Sequence, residues 1–281
     1  IEEFCHKEAY RSIIRLAHDM LFSALTAAWY DNRLESHIFK IPQALQPRPM
    51  HLADEKTFAR RLEETPLAAV LPLLRQALPQ AEWFIVGGAV RDLLLGRETG
   101  DYDLVVRHVR LEEVERALSA LGSVDVVGKR FGVVKFVPHG WGAEPIDIAW
   151  PRTERAGMSG GYRDFSVQAD PALPIESDLG RRDFTVNAVA YDIAVGTFVD
   201  PHAGRKDMEA RLLRAVGRPE ERFREDHSRM LRLIRFSCQL GFEIYRPTWD
   251  AIVALAPRLE DTLENGERVV PHETMARELV K

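Results

Sequence analysis

Apolar positions change their period twice along the chain. From Phe58 to Leu78 they recur on a helical spacing, with Leu62, Leu67, Val70, Leu71, Leu74 and Leu78 on one face, which predicts an amphipathic helix. Pro42, Pro47 and Pro49 separate it from what precedes. Residues 1–80 therefore predict a mostly helical extension for packing or interaction, with no chemical motif. From Trp83 the pattern shortens to β-rich runs: Trp83–Val86, Tyr102–Val106, Val124–Val127, Val133–Val137 and Ile146–Trp150. Helical segments separate some of them, at Val90–Leu95 and at Leu111–Leu121, where Leu111, Val114, Leu118 and Leu121 share a face. After about Arg181 the chain turns helical again, with candidates at Phe184–Asp192, Glu225–Leu240, Thr248–Ala256 and, after Pro271, His272–Lys281. The pattern predicts an α+β fold: a small mixed sheet in residues 81–205, flanked by the helical extension and by an all-helical segment over 206–281.

At 281 residues and 46% hydrophobic the chain is long enough to bury a sizeable core. It holds no signal-peptide pattern and no apolar run of membrane-spanning length, and Cys5 and Cys238 lack metal-ligand spacing, so a reducing, cytoplasmic setting without a membrane is expected. The net charge of −5 argues against indiscriminate nucleic-acid binding, but the average hides a basic stretch. Between Arg205 and Arg246 eleven Lys and Arg face seven Asp and Glu, and nearly all of the bases are arginine, whose fork suits phosphates and base edges. The sequence starts at Ile1 and stops at Lys281 inside an expected helix, so a longer protein is expected.

Four short motifs carry chemistry. Gly87-Gly88-Ala89-Val90-Arg91-Asp92 follows an expected strand and opens an expected helix, where small residues let backbone N–H groups approach a phosphate and Arg91 adds charge. Asp101 and Asp103 flank Tyr102; residues two apart on a strand share a face, so both carboxylates can meet one pair of divalent cations, with Mg²⁺ suited to oxygen ligands. A third carboxylate is expected at Asp147, between Ile146 and Ile148, with Glu144 as its competitor. Arg181-Arg182-Asp183-Phe184-Thr185-Val186-Asn187-Ala188 supplies an arginine for a triphosphate and an Asp or Asn for a ribose hydroxyl. Finally Asp226, Arg229, Arg232 and Arg235 recur every three residues along an expected helix, and an Asp beside an Arg can read base edges.

In this order GGAVRDLLLG, DYD, RRDFTVNA, DPHAG and EDHSRMLRLIRF resemble the class II tRNA nucleotidyltransferase and bacterial poly(A) polymerase family, over about Trp83–Phe242. The resemblance implies a polymerase-β-like head that binds two Mg²⁺ through Asp101 and Asp103. It implies nucleotide contacts from Gly88, Arg91 and Arg182, and Gly87, Asp92, Asp183 and Asn187 in the same motifs are expected to bind nucleotide with them. It further implies a helical neck in which Asp226 and Arg229 pair with the incoming base while Arg232 and Arg235 lie close by. The implied reaction is attack of an RNA 3′-hydroxyl on the α-phosphate of CTP or ATP, with tRNA as the expected partner and pyrophosphate leaving. Ala203 stands where the family usually has a glycine and His227 where it often has proline, and the family's C-terminal body that grips tRNA is expected to lie outside these 281 residues. Val126-Val127-Gly128-Lys129-Arg130-Phe131 resembles a poly(A) polymerase stretch, whereas Pro151–Phe165 resembles the flexible-loop region of CCA-adding enzymes, the favoured reading. Addition of only A or only CC stays open, as does a non-catalytic RNA-binding relative, although the latter would be expected to have lost Asp101 and Asp103.

Overall fold

The computed structural model describes residues 50–127, 132–156, 165–263 and 265–280. The first 49 residues of the N-terminal extension with Cys5, the Gly128–Phe131 part of the basic stretch, residues 157–164 of the loop region and Lys281 lie outside the described residues.

Two helices open the described chain, α1 (Glu55–Glu63) and α2 (Leu67–Ala77), where the apolar period predicted one. The break falls at Thr65 and Pro66: the Thr65 hydroxyl donates to the Leu62 carbonyl at 2.7 Å, and Pro66, which cannot continue a helix, caps the next one. Asp54 caps α1 by accepting the Thr57 N–H at 2.8 Å. Phe58 is fully buried, its ring 4.5 Å from that of Tyr191 and 4.9 Å from that of Phe198. The described part of the extension is thus built into the main core.

The elements that follow are β1 (Glu82–Val86), α3 (Gly88–Leu95), β2 (Asp103–Arg107), α4 (Leu111–Leu118), β3 (Gly122–Val127), β4 (Val133–Pro138) and β5 (Ile146–Ala149). A separate hairpin of β6 (Arg152–Ala156) and β7 (Phe165–Ala169) comes next, then α5 (Ile175–Gly180), a 3-10 turn at Thr185–Asn187, β8 (Ala190–Asp192) and β9 (Thr197–Val199). Seven strands form one mixed sheet in the order β3-β4-β5-β2-β1-β8-β9, with β2 and β5 parallel and the other neighbours antiparallel. The sheet is larger than the apolar runs predicted because the helix expected at Phe184–Asp192 does not form. Ala190-Tyr191-Asp192 instead pairs with β1, which is buried on both faces, and an unbroken apolar run cannot by itself distinguish such a strand from a buried helix.

The remaining elements are α6 (Gly204–Glu209), β10 (Leu212–Leu213), α7 (Pro219–Glu225), α8 (Ser228–Leu240), β11 (Glu243–Ile244), α9 (Arg246–Leu255), a 3-10 segment at Ala256–Glu260 and α10 (His272–Val280). The helix expected over Glu225–Leu240 is broken at Asp226, whose backbone is extended (φ −149°, ψ 105°), so Asp226 stands outside the helix that carries Arg229, Arg232 and Arg235. The segment expected to be all helical also contains the short parallel pair β10–β11.

The alternation of side chains across β1 and β2 sorts the core. Trp83, Ile85, Leu104 and Val106 join the cluster shared with α1 to α4, while Phe84, Val86 and Val105 pack against Ile175 and Leu179 of α5. Asp103 shares its face with Val105, so it belongs to the side that α5 covers.

The DPHAG segment supports the 3-10 turn. Asp200 accepts N–H bonds from Gly204 (2.7 Å) and Arg205 (3.0 Å), and Asp207 accepts from the Thr185 hydroxyl at 2.7 Å. A Cβ at Gly204 would lie 2.1 Å from the Thr185 carbonyl oxygen, whereas Ala203 holds a left-handed backbone (φ 56°) that disfavours any side chain. Ala203→Gly should therefore stabilise the protein by about 1 kcal/mol and raise Tm by about 2–4 °C, while Gly204→Ala should cost about 2–3 kcal/mol. Thermal denaturation of the two variants checks the pair, and a Tm unchanged in Ala203→Gly contradicts the strain.

Candidate active site

A row of side chains crosses four strands on the α5 side of the sheet. Val86 at the end of β1 is the register partner of Asp103, Asp103 is the parallel partner of Asp147, and Asp147 is the partner of Lys135 on β4. Partners in register project to the same face, so Asp103 and Asp147 are brought side by side, with the Asp147 N–H donating to the Tyr102 carbonyl at 3.0 Å. Asp101 lies just before β2 rather than on it, is exposed, and lines the same cleft of about 1080 Å³. Glu144, the competitor for the third carboxylate, is exposed in the turn before β5 and does not line that cleft.

Charge accumulates along this row. Burial pushes the Asp103 carboxyl above its ordinary value, Arg182 opposes the shift, and Asp101 and Asp147 add to it. Lys135 donates to Asp147 at 2.7 Å, and that bond, with the neighbouring carboxylates, holds its ammonium above the ordinary lysine range. Nothing in the sequence reading had singled out Lys135; its one signal was a lysine inside an apolar strand run. Among the described residues no group of three or more acidic, His or Cys side chains closes around a ready-made metal position. The donor set nonetheless suits Mg²⁺, which keeps several waters and takes the rest of its oxygens from one or two carboxylates and from substrate phosphates.

Beside the carboxylates lies the phosphate-type turn. Gly87 has φ 71°, and a Cβ there would meet Arg182 Nη1 at 2.8 Å and Asp103 Oδ2 at 3.1 Å, so only glycine lets the arginine lie across the strand end. Arg182 is held by Asp178 of α5, which accepts from its Nε (3.2 Å) and Nη2 (2.9 Å) while also accepting from Arg181 Nη2 at 2.6 Å. Asp178 is fully buried; burial raises its pKa, but Arg182 and Arg181 outweigh this and hold the carboxyl below its ordinary value. Sequence reading missed Asp178, whose signal was an acid three and four residues before two arginines on a short helix.

Arg91 lines the cleft, donating from Nη1 to Asn187 Oδ1 at 2.6 Å and, through Nε and Nη2, to both Asp92 oxygens at 2.9 Å. Asp92 itself is not part of the lining, so the structure places it behind Arg91. Asn187 donates in turn to Asp183 Oδ1 at 3.1 Å, which also accepts the Phe184 N–H, and Arg232 donates to Asp183 Oδ2 through Nε (3.0 Å) and Nη2 (2.7 Å). The expected ribose contacts, Asp183 and Asn187, are thus bonded to each other and to two arginines. The third arginine of the stripe, Arg235, donates to the buried Glu278 of α10 at 2.9 Å. Thr274, Arg277 and Glu278 of α10 close the cleft, a wall not expected from sequence.

Asp226 and Arg229 line the same cleft. Asp226 Oδ1 accepts from the Ser228 N–H (2.9 Å) and hydroxyl (2.6 Å), while Arg229 Nη1 donates to Glu225 at 2.7 Å and to the Arg222 carbonyl at 3.2 Å. Of the residues expected from sequence, the cleft therefore gathers Gly87, Gly88, Arg91, Asp101, Asp103, Asp147, Arg182, Asp183, Asn187, Asp226, Arg229, Arg232 and Arg235.

The chain is similar to proteins of known sequence and structure. Residues 83–214 match the family model described as the Poly A polymerase head domain. The CCA-adding enzyme of Geobacillus thermodenitrificans is 39% identical over 197 residues, which cover 69% of this chain and 46% of that protein. The Multifunctional CCA protein of Stenotrophomonas maltophilia is 44% identical over 168 residues, 59% of this chain and 38% of that one. Among solved structures, the Bacillus stearothermophilus CCA-adding enzyme in complex with CTP superposes with a TM-score of 0.60 at 35% identity, over 76% of this chain and 48% of the other. The Thermotoga maritima CCA-adding enzyme complexed with tRNA gives 0.59 at 29% identity, over 82% and 50%. The chain spans about half the length of the relatives it matches.

The Asp183 network sets a pH dependence of stability. Burial raises its pKa, but Arg232 and the hydrogen bonds from Asn187, Arg232 and the Phe184 N–H hold it down at about 2. A depressed folded-state pKa stabilises the fold above the unfolded value near 4, and the contribution is lost as pH falls through about 2. Asp183→Asn should therefore unfold about 2 kcal/mol more easily at neutral pH, with the gap to the parent protein narrowing between about pH 4 and 2. Denaturant titrations across that window check it; a gap independent of pH contradicts the assignment.

Proposed function

Because the chain belongs to the class II CCA-adding enzyme and poly(A) polymerase family, we propose that it carries the active head and neck of a template-independent RNA nucleotidyltransferase that adds C, C and A to the tRNA 3′ end. The observation that carries this reading is the pairing of Asp103 with Asp147 in one cleft with Arg182 across Gly87 and with Asp226 and Arg229. Residues 81–205 act as the catalytic head and 206–281 as the nucleotide-selecting neck, with CTP and ATP as substrates in a cytoplasmic reaction. What favours C, C and A over a poly(A) tail is that the relatives are CCA-adding enzymes, one of them solved with CTP and another with tRNA. No helix among the described residues is long and apolar enough to cross a membrane.

Asp101 and Asp103, with Asp147 beside them, would hold divalent Mg²⁺ ions, which when bound activate the attacking 3′-hydroxyl and offset the charge of the departing pyrophosphate. The chain's own residues supply position and counter-charge. Arg182, fixed by Asp178, presents its guanidinium beside Asp103, where a phosphate would lie. The backbone at Gly87 and Gly88 opens helix α3, whose N-terminal end favours an anion. Arg91 and Arg232, held at a fixed separation through Asn187 and Asp183, extend the positive wall toward the neck. Asp226 offers acceptors and Arg229 donors to the edge of the incoming base, so the protein takes the place of a template.

The decisive experiment uses full-length protein with Mg²⁺ and each labelled nucleotide on tRNAs ending before CCA, after C and after CC, beside an oligo(A) primer. Addition of C, C and then A that stops is expected. Long A tails on any primer would make the protein a poly(A) polymerase, A added only after CC would make it an A-adding enzyme, and no transfer would leave an RNA-binding relative. Asp101→Asn and Asp103→Asn should each lower transfer by about 10²–10³-fold or more with the fold intact, and retained activity in either rejects the metal-site assignment. The double variant Asp226→Ala, Arg229→Ala should lose discrimination among CTP, ATP, GTP and UTP by about tenfold or more, roughly one bidentate contact's worth.

A further inference from the structure

Phe236 of α8 lines the cleft with only 7% of its surface exposed, and its surroundings are unusual for a core phenylalanine. Three guanidinium groups gather on its ring: Arg235 at 4.3 Å from the centroid, Arg91 at 5.2 Å and Arg232 at 5.6 Å. The Phe184 ring meets it edge-on at 5.9 Å and 80°. The polar ends of the three arginines are held by acids and an amide, Arg91 by Asp92 and Asn187, Arg232 by Asp183 and, at 3.9 Å, Glu278, and Arg235 by Glu278. Among the described contacts the Phe236 ring is what all three share.

Three cations within one ring's reach repel one another, and the negative faces of an aromatic ring draw cations toward it. Polar partners link the arginines in pairs, Arg91 to Arg232 through Asn187 and Asp183 and Arg232 to Arg235 through Glu278, whereas the ring is reached by all three and its negative faces offset their mutual repulsion. With three guanidinium groups and an edge-on phenylalanine around it and only 7% of its surface exposed, Phe236 offers little ring surface to a nucleotide base. Resting on the function proposed above, we infer that Phe236 is a positioning residue: its ring, together with these polar links, holds Arg91, Arg232 and Arg235 close together for the triphosphate substrate and does not stack on the base.

Replacing Phe236 in the full-length protein with mono-, di- and trifluorinated phenylalanine weakens the ring's negative face stepwise while keeping its shape. KM for CTP and for ATP should rise together along the series, by about tenfold at the trifluorinated ring, with kcat within about twofold and Phe236→Tyr close to the parent. Phe236→Leu should behave like the end of the series. A KM flat across the series overturns the inference, as does a fall in kcat and Tm without the KM trend, which marks a purely structural ring. A KM effect confined to ATP, or a gain in affinity with Phe236→Trp, overturns it in favour of base stacking. Equilibrium binding of CTP to the same series separates the two readings: a parent protein that transfers nothing to RNA but binds CTP along the fluorination trend keeps the role of Phe236 and removes the proposed reaction.

Discussion

A carboxylate taken out of water is costly unless donors reach both of its oxygens, and Asp183 meets that demand by drawing on two separate parts of the chain. Its own turn gives the Phe184 N–H and the Asn187 amide, and α8 gives two nitrogens of Arg232. A carboxylate offers about four acceptor directions, and here four bonds use them. Because Asn187 also receives Arg91, the chain of contacts runs unbroken from α3, after the glycine turn, to α8. The wall of the cleft is thereby held by a buried charge that tolerates neither a missing donor nor a shifted helix.

The two sides of the cleft are built on opposite charge. The sheet contributes Asp103 and Asp147, with Asp101 just before β2 and Lys135 as partial counter-ion, while α3, α8 and the turn after α5 contribute arginines anchored by acids set behind them. Anchoring matters as much as sign: a guanidinium already fixed by Asp178 or Glu278 loses little further freedom when an anion arrives. The N-terminal helices serve the same end from the far side, since Arg61 Nη1 donates to the Leu93 and Leu94 carbonyls at the end of α3.

Much of this was legible in the residues because the short-range rules hold where one element decides the geometry. The strands from Trp83 to Trp150 follow their apolar runs, and the glycine turn opens its helix as the motif implies. The reading failed where tertiary pairing overrode local pattern, as at Ala190-Tyr191-Asp192, and where a single residue broke a period, as at Pro66 and Asp226. At the site, sequence could point to acids and arginines near their motifs. It could not find partners supplied from afar: Glu278 lies 43 residues from Arg235, and Lys135 reaches Asp147 only through the β4–β5 register.

The row from Val86 through Asp103 and Asp147 to Lys135 also acts as a ruler laid across four strands. One residue of slippage in any of them would turn a charged side chain to the opposite face of the sheet and separate the glycine turn from the carboxylates. Change in length is therefore free to accumulate in the connections and is barred from the strands. What lies between these four positions can be lengthened, shortened or rewritten without disturbing them, while the spacing of the charged groups stays fixed by the pitch of a pleated sheet.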